Sequence, residues 1–277
     1  MATTATPATP AITAIFGAGV MGETILSGLL RSGRPAAELV ITERRADHAA
    51  ILQERYGVRV LDNLDAADAA DVLVLVVKPQ DMDGLLGEVH DQVRPGDLVV
   101  SLAAGITTAF LEARLPPGSS VVRVMPNTPA LVDQGMAAIS PGQHCTPEHL
   151  AQARALLESC GRVVEVAEKH QDAVTAISGS GPAYIFYVVE AMVEAGVVLG
   201  LPRATSSELV VQTLFGAATM LKETGEHPTV LRERVSSPGG TTVAALRQLD
   251  DHKVRAAFIN AIEAAAQRSH ELASGNG

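Results

Sequence analysis

The chain has 277 residues, enough for two domains with separate cores. Apolar residues make up 47% and charged residues 19%, a globular composition that excludes a disordered chain. A formal charge of -10 excludes a general nucleic-acid binder, because a polyphosphate backbone needs a basic surface.

Residues 1–10, MATTATPATP, have neither the basic nor the apolar stretch of a signal peptide and read as a disordered lead-in. From residue 11 to about 168, short apolar runs alternate with amphipathic stretches. AITAIFGAG (11–19), ELVITE (38–43), VRVL (58–61), DVLVLVVKP (71–79), DLVVSLAAG (97–105) and SVVRVMPN (120–127) read as strands, with GMAAIS and GRVVEVA as two more. Strands alternating with helices predict an α/β Rossmann-type domain with a parallel, doubly wound sheet. Cys145 and Cys160 lack metal-ligand or redox spacing and read as small thiols in a reducing compartment. Beyond about residue 172 the strand signal stops, and helical stretches are punctuated by Gly200/Pro202, Gly225/Pro228 and Pro238-Gly239-Gly240. The expected division is therefore 11–168 for the α/β domain and 169–277 for an all-α domain. Several of the later helices are apolar on more than one face, which predicts an oligomer built through them. Glu190 and Glu194 argue against a bilayer span in the most apolar of these stretches, and a cytoplasmic protein is expected.

Gly17-Ala18-Gly19-Val20-Met21-Gly22 follows a strand and opens a helix. This is the G-x-G-x-x-G pattern in the context it requires. The first glycine permits the turn, the second lets backbone approach a pyrophosphate, and the third allows close helix–strand packing. The second strand ends in Glu43-Arg44-Arg45. An acid there favours NAD through the ribose hydroxyls, whereas arginines favour the 2′-phosphate of NADP. Val77, Lys78 and Pro79 end the fourth strand, and Ala103, Ala104 and Gly105 end the fifth. Ligands of such sheets lie beyond the carboxyl ends of strands, so these residues are candidates for the nicotinamide half. Lys78 reads equally as an exposed strand-end lysine. Asn127 and Thr128 either turn back on their own backbone or face the cleft. No His/Cys/carboxylate cluster has metal-ligand spacing, so no metal is expected.

The motifs FGAGVMGETILSGLL, VLVVKPQ, SLAAGI, VRVMPNTPALV, DAVTAISGSGPAYIFYVVEAM and VSSPGGTT, in this order, make the chain resemble the pyrroline-5-carboxylate reductases over nearly all of its length. The resemblance implies a Rossmann domain followed by a helical domain that interlocks two subunits, with a ring of five dimers in many members. It implies NADPH as the usual cofactor, with NADH accepted by many. It places Asn63 near the adenosine ribose, and Lys78 and Ala104 beside the nicotinamide half. Glu168 falls near the substrate, and Ser237, Thr241 and Thr242 fall in the substrate loop. The reaction it implies is hydride transfer to C5 of a cyclic imine, giving L-proline in the last step of proline biosynthesis.

VSSPGGTT has a physical reading of its own. Pro238-Gly239-Gly240 ends one helix and exposes backbone, and Thr241 and Thr242 begin the next. A helix start offers unpaired N–H groups and partial positive charge, so it suits a small carboxylate. The same pattern also makes a capped helix–helix turn. Hydroxy-acid dehydrogenases of similar architecture carry a lysine acid/base after a G-x-G turn. From Gly179 and Gly181 that lysine would fall near Ile185, where the sequence reads AYIFYVV. An alcohol needs a base and a protonated imine does not, so the missing lysine favours imine chemistry. The competing expectations are a non-catalytic dinucleotide sensor and a reductase of another cyclic imine or small carbonyl acid.

Overall fold

A computed structural model describes residues 11–273; the lead-in expected over 1–10 lies outside them. The apolar runs form eight strands: β1 (Thr13–Phe16), β2 (Leu39–Thr42), β3 (Arg59–Val60), β4 (Val72–Leu75), β5 (Leu98–Ser101), β6 (Ser120–Met125), β7 (Gly135–Pro141) and β8 (Gly161–Glu165). The helices between them are α1 (Val20–Arg31), α2 (Ala46–Tyr56), α3 (Asn63–Ala69), α4 (Pro79–Val89), α5 (Thr108–Glu112) and α6 (Pro147–Glu158). One sheet takes the order β3-β2-β1-β4-β5-β6-β7-β8. β1 sits centrally with β2 on one side and β4 on the other, both parallel to it. This reversal of winding direction leaves a crevice beyond the strand ends.

The sheet is not wholly parallel, as the sequence had implied. β7 runs antiparallel to β6, and β8 is parallel to β7. Only residues 126–134, with a 3₁₀ turn over Thr128–Val132, join β6 to β7. That is too short for a helical crossover, so the chain must turn back. Alternate strand residues feed two cores. Ile15, Ile41, Val74 and Val100 pack with α1 and α6 on one face. Phe16, Val40, Leu73 and Val99 pack with α3, α4 and α5 on the other. Burial on both faces explains why the strands read as continuous apolar runs.

After β8 come a 3₁₀ turn (Glu168–His170), α7 (Gln171–Val174) and a π-type turn (Thr175–Gly179). Asn127 settles its two expectations here: Nδ2 donates to the Ser178 carbonyl at 3.1 Å and Oδ1 accepts the Met136 N–H at 2.8 Å. A Cβ at Gly179 would meet the terminal methyl of Met125, which would have to move aside. Five helices follow: α8 (Gly181–Val198), α9 (Arg203–Thr224), α10 (Pro228–Arg234), α11 (Thr241–Asp251) and α12 (Val254–Ala273). The chain divides into two compact units. One runs to Gly179 and regains the chain from Ala266 on; the other is Ser180–Ala265. The sequence-based boundary at 168/169 and this division bracket the turns over 168–179. Within the first unit, Ser269 Oγ donates to Asp172 at 2.7 Å. The end of α12 also lies against Gly105, where a Cβ would meet the Ala273 Cα at 3.5 Å.

In the helical unit, Phe186 (67% exposed), Tyr187 (75%) and Phe215 (65%) lie on the surface of the single chain. Large aromatics left this open need a partner surface. Among the described residues, one helical stretch, Glu168–Val198, has the length and composition to cross a membrane.

Candidate active site

The loop between β1 and α1 carries the first group of candidates. Gly17 has φ 92°, a left-handed conformation that glycine adopts without strain. Its N–H and that of Ala18 both reach the Thr42 carbonyl at 3.2 Å, which ties the loop to the end of β2. Gly22 faces the Gly17 carbonyl so closely that a Cβ would overlap it. Gly19 differs: a Cβ there would meet nothing of the protein within 4 Å. The first intrahelical bond runs from the Glu23 N–H to the Gly19 carbonyl at 2.8 Å. The N–H groups of Val20, Met21 and Gly22 therefore start the helix without intrahelical acceptors. Open space at Gly19 in front of these donors fits an anion such as a pyrophosphate.

A cleft of about 660 Å³ opens at this loop. It gathers Gly17, Gly19, Glu43, Arg44, Asn63, Val77 and Lys78 from the residues singled out in the sequence. Thr42, Asp62, Val76, Gln80, Asp81 and Glu88 line it too and carried no sequence signal. Asp62 is legible afterwards as the N-cap of α3, its Oδ1 accepting the Asp65 N–H at 2.8 Å. Asn63 Nδ2 donates to Glu88 Oε2 at 2.9 Å, which fixes the amide at the cleft wall. Lys78 is the exposed N-cap of α4 and Pro79 its first residue. Ala18 is buried beneath the loop, and Ala103, Ala104 and Gly105 follow β5 without lining the cleft; of these three only Ala104 is exposed. Arg45 caps α2 and does not line the cleft.

Glu43 is held below the usual carboxylate range. Burial pushes it up, but the Arg45 N–H and His48 together outweigh that. Arg44 points outward and pairs with Asp81 at 3.1 Å. Glu168 is also held low: burial raises it, and the Thr108 hydroxyl, the Thr108 N–H and Arg123 outweigh the burial. Thr108 N–H and Oγ1 donate to it at 2.8 and 2.6 Å, and Arg123 Nη1 at 3.1 Å. Glu168 is thus a pin between the start of α5 and β6, not a spare carboxylate. Burial raises the thiols of Cys145 and Cys160, and both are free.

In the helical unit, VSSPGGTT forms the turn between α10 and α11. Gly239 has φ 73°, and the Gly240 N–H donates to the Ser237 carbonyl at 2.9 Å. Gly240 is the N-cap of α11 and supplies no side-chain cap, so Thr241 and Thr242 present the first N–H groups of the helix. Ser237 and Thr241 are exposed and Thr242 is half-buried. Arg234 grips Glu226 with both terminal nitrogens at 2.5 and 2.6 Å, pinning α10 just before the turn. His227 caps α10, its Nδ1 accepting the Thr229 N–H at 3.2 Å.

A parallel-stranded crevice with a glycine loop at a helix start, followed by an all-helical unit with an exposed apolar surface, places the chain in the class of dinucleotide-binding proteins. Residues 168–272 match the family model for pyrroline-5-carboxylate reductase dimerisation, and residues 12–105 match that for NADP oxidoreductase, coenzyme F420-dependent. The pyrroline-5-carboxylate reductase of Corynebacterium melassecola is 48% identical, with 94% of this chain and 97% of that one covered. The solved pyrroline-5-carboxylate reductase of Coxiella burnetii superposes with a TM-score of 0.91 at 37% identity, covering 95% of this chain and 99% of that one. That of Plasmodium falciparum, solved with NADP bound, gives a TM-score of 0.85 at 28% identity, covering 95% and 98%. The chain belongs to the pyrroline-5-carboxylate reductase family.

Proposed function

We propose that this protein reduces 1-pyrroline-5-carboxylate to L-proline, the last step of proline biosynthesis, with NADPH as cofactor and NADH as an alternative. The observation that carries the reading is the coexistence of two anion-suited helix starts, one at Gly19 and one at Gly240. A non-catalytic sensor would need only the first. NADPH, when bound, supplies a hydride from its nicotinamide C4. Gly17 to Gly22 hold the pyrophosphate at the α1 start. Asn63, Glu43 and Arg44, which line the cleft, would border the adenosine ribose. Val77 and Lys78, which line the cleft, would border the nicotinamide half.

Thr241 and Thr242 take the substrate carboxylate on their N–H groups, supported by the exposed Ser237 hydroxyl. The Thr242 hydroxyl orients the protonated imine, which is electrophilic enough that no lysine acid/base is required. Glu168 serves by holding Thr108 and Arg123 in place. The active species is a cytoplasmic homodimer formed through the helical unit, assembling further into a ring of five dimers. The test is NADPH oxidation, followed by absorbance, on adding fresh pyrroline-5-carboxylate, with proline measured as product. Cofactor affinity without oxidation would establish the sensor instead. Turnover of other cyclic imines or small keto acids in preference would establish the second alternative.

A further inference from the structure

We infer that His48 sets the preference between NADPH and NADH, acting through Glu43 at the rim of the dinucleotide cleft. The inference rests on reading that cleft as the cofactor site. Glu43 directly follows β2 and lines the cleft. An acid in this position serves NADH by accepting hydrogen bonds from ribose hydroxyls, and its charge repels a 2′-phosphate. Here the carboxylate is folded back on its own turn. Oε1 accepts the Arg45 N–H at 2.9 Å, and Oε2 lies 3.1 Å from His48 Nδ1. Only 11% of the Glu43 side chain and 20% of the His48 side chain remain exposed.

The Arg45 guanidinium adds a longer, exposed ion pair, its Nε 3.8 Å from Oε1, and the two shorter contacts differ in kind. The Arg45 N–H is main chain and is supplied by almost any residue. The imidazole contact depends on the side chain at residue 48, which stands in the first turn of α2, where it can reach back to the residues before the helix. Each oxygen that would meet a ribose diol thus already has a protein partner, which fixes the carboxylate's direction and leaves it fewer lone pairs for hydroxyls. Meanwhile Arg44, 84% exposed, carries its charge at the same rim, where its partner Asp81 at 3.1 Å would have to yield it to a 2′-phosphate. A restrained, partly compensated acid beside an outward guanidinium suits a 2′-phosphate better than a diol. His48 is a positioning residue in this account, because its contact is with Glu43.

The experiment measures dissociation constants of NADPH and NADH by fluorescence titration for wild type, His48→Leu, Glu43→Gln and the double variant. KM values for the two cofactors are measured alongside. Removing His48 releases Oε2, so the preference for NADPH is expected to fall by about fivefold or more. The two KM values are expected to move in opposite directions, which general loosening of α2 would not produce. His48→Gln, whose amide still donates, is expected to recover most of the preference. In the Glu43→Gln background the His48→Leu exchange is expected to leave the ratio unchanged, because the partner through which it acts is already neutral. A ratio that stays fixed in His48→Leu, or moves equally in both backgrounds, overturns the inference. Wild type binding neither dinucleotide overturns the cofactor-site reading beneath it.

Discussion

At the scale of single residues, the site makes distinct demands on Gly19, Arg44 and Thr242. Gly19 has an ordinary φ of -68° and open space around its Cβ position, so Gly19→Val is expected to fold normally. The branched side chain would occupy the pyrophosphate's place, and fluorescence titration is expected to show NADPH binding lost while Tm is kept. Arg44→Ala with Arg45→Ala is expected to weaken NADPH more than NADH, by about 1.5–3 kcal/mol for a charge-assisted contact. Equal weakening would show that neither arginine meets the 2′-phosphate. Thr242→Ala keeps the helix-start N–H and removes only the hydroxyl. A lost hydrogen bond to a charged ligand predicts a fall of roughly tenfold to a hundredfold in kcat/KM, with NADPH affinity near wild type. Unchanged kcat/KM would reduce the hydroxyl to a surface group.

At the scale of elements, Glu168 joins the first turn of α5 to β6 through Thr108 and Arg123. Arg123 is almost wholly buried, so Glu168→Gln leaves a guanidinium without its counter-charge. A cost of about 2–3 kcal/mol is expected. The carboxyl is held below its unfolded value, so its contribution is complete above the range where an unfolded glutamate titrates. It is lost as pH falls through the folded value, and the Tm difference between wild type and Glu168→Gln is expected to shrink on acidification. This pin was not legible in the sequence, where Glu168 stood out only by resemblance, because Thr108 lies 60 residues away. The eight strands were legible, since burial on both faces writes itself as unbroken runs such as VLVL. The reversal at β7 was not, because strand direction depends on the length and path of a connection. Gly17, Gly19 and Gly22 were legible because each backbone demand maps onto one residue type. His48 gave no signal, as its meaning lies wholly in the distance to Glu43.

At the scale of the whole molecule, the aromatic surface of the helical unit and the match to the dimerisation model lead to one expectation. Phe215→Asp is expected to lower the mass seen by light scattering to about half that of the dimer, or to detach dimers from a larger ring. An unchanged mass would place Phe215 outside every subunit contact. The return of α12 to the first unit has a consequence for biosynthesis. Residues 266–273 belong with the α/β unit, yet they are synthesised only after all of Ser180–Ala265. On the ribosome the sheet and its cofactor cleft can form early, while Asp172 waits for Ser269 until the entire helical unit has emerged. The first unit to begin folding is thus the last to be completed, and a nascent chain stalled before residue 266 would carry the dinucleotide cleft on a unit still missing the final turns of α12.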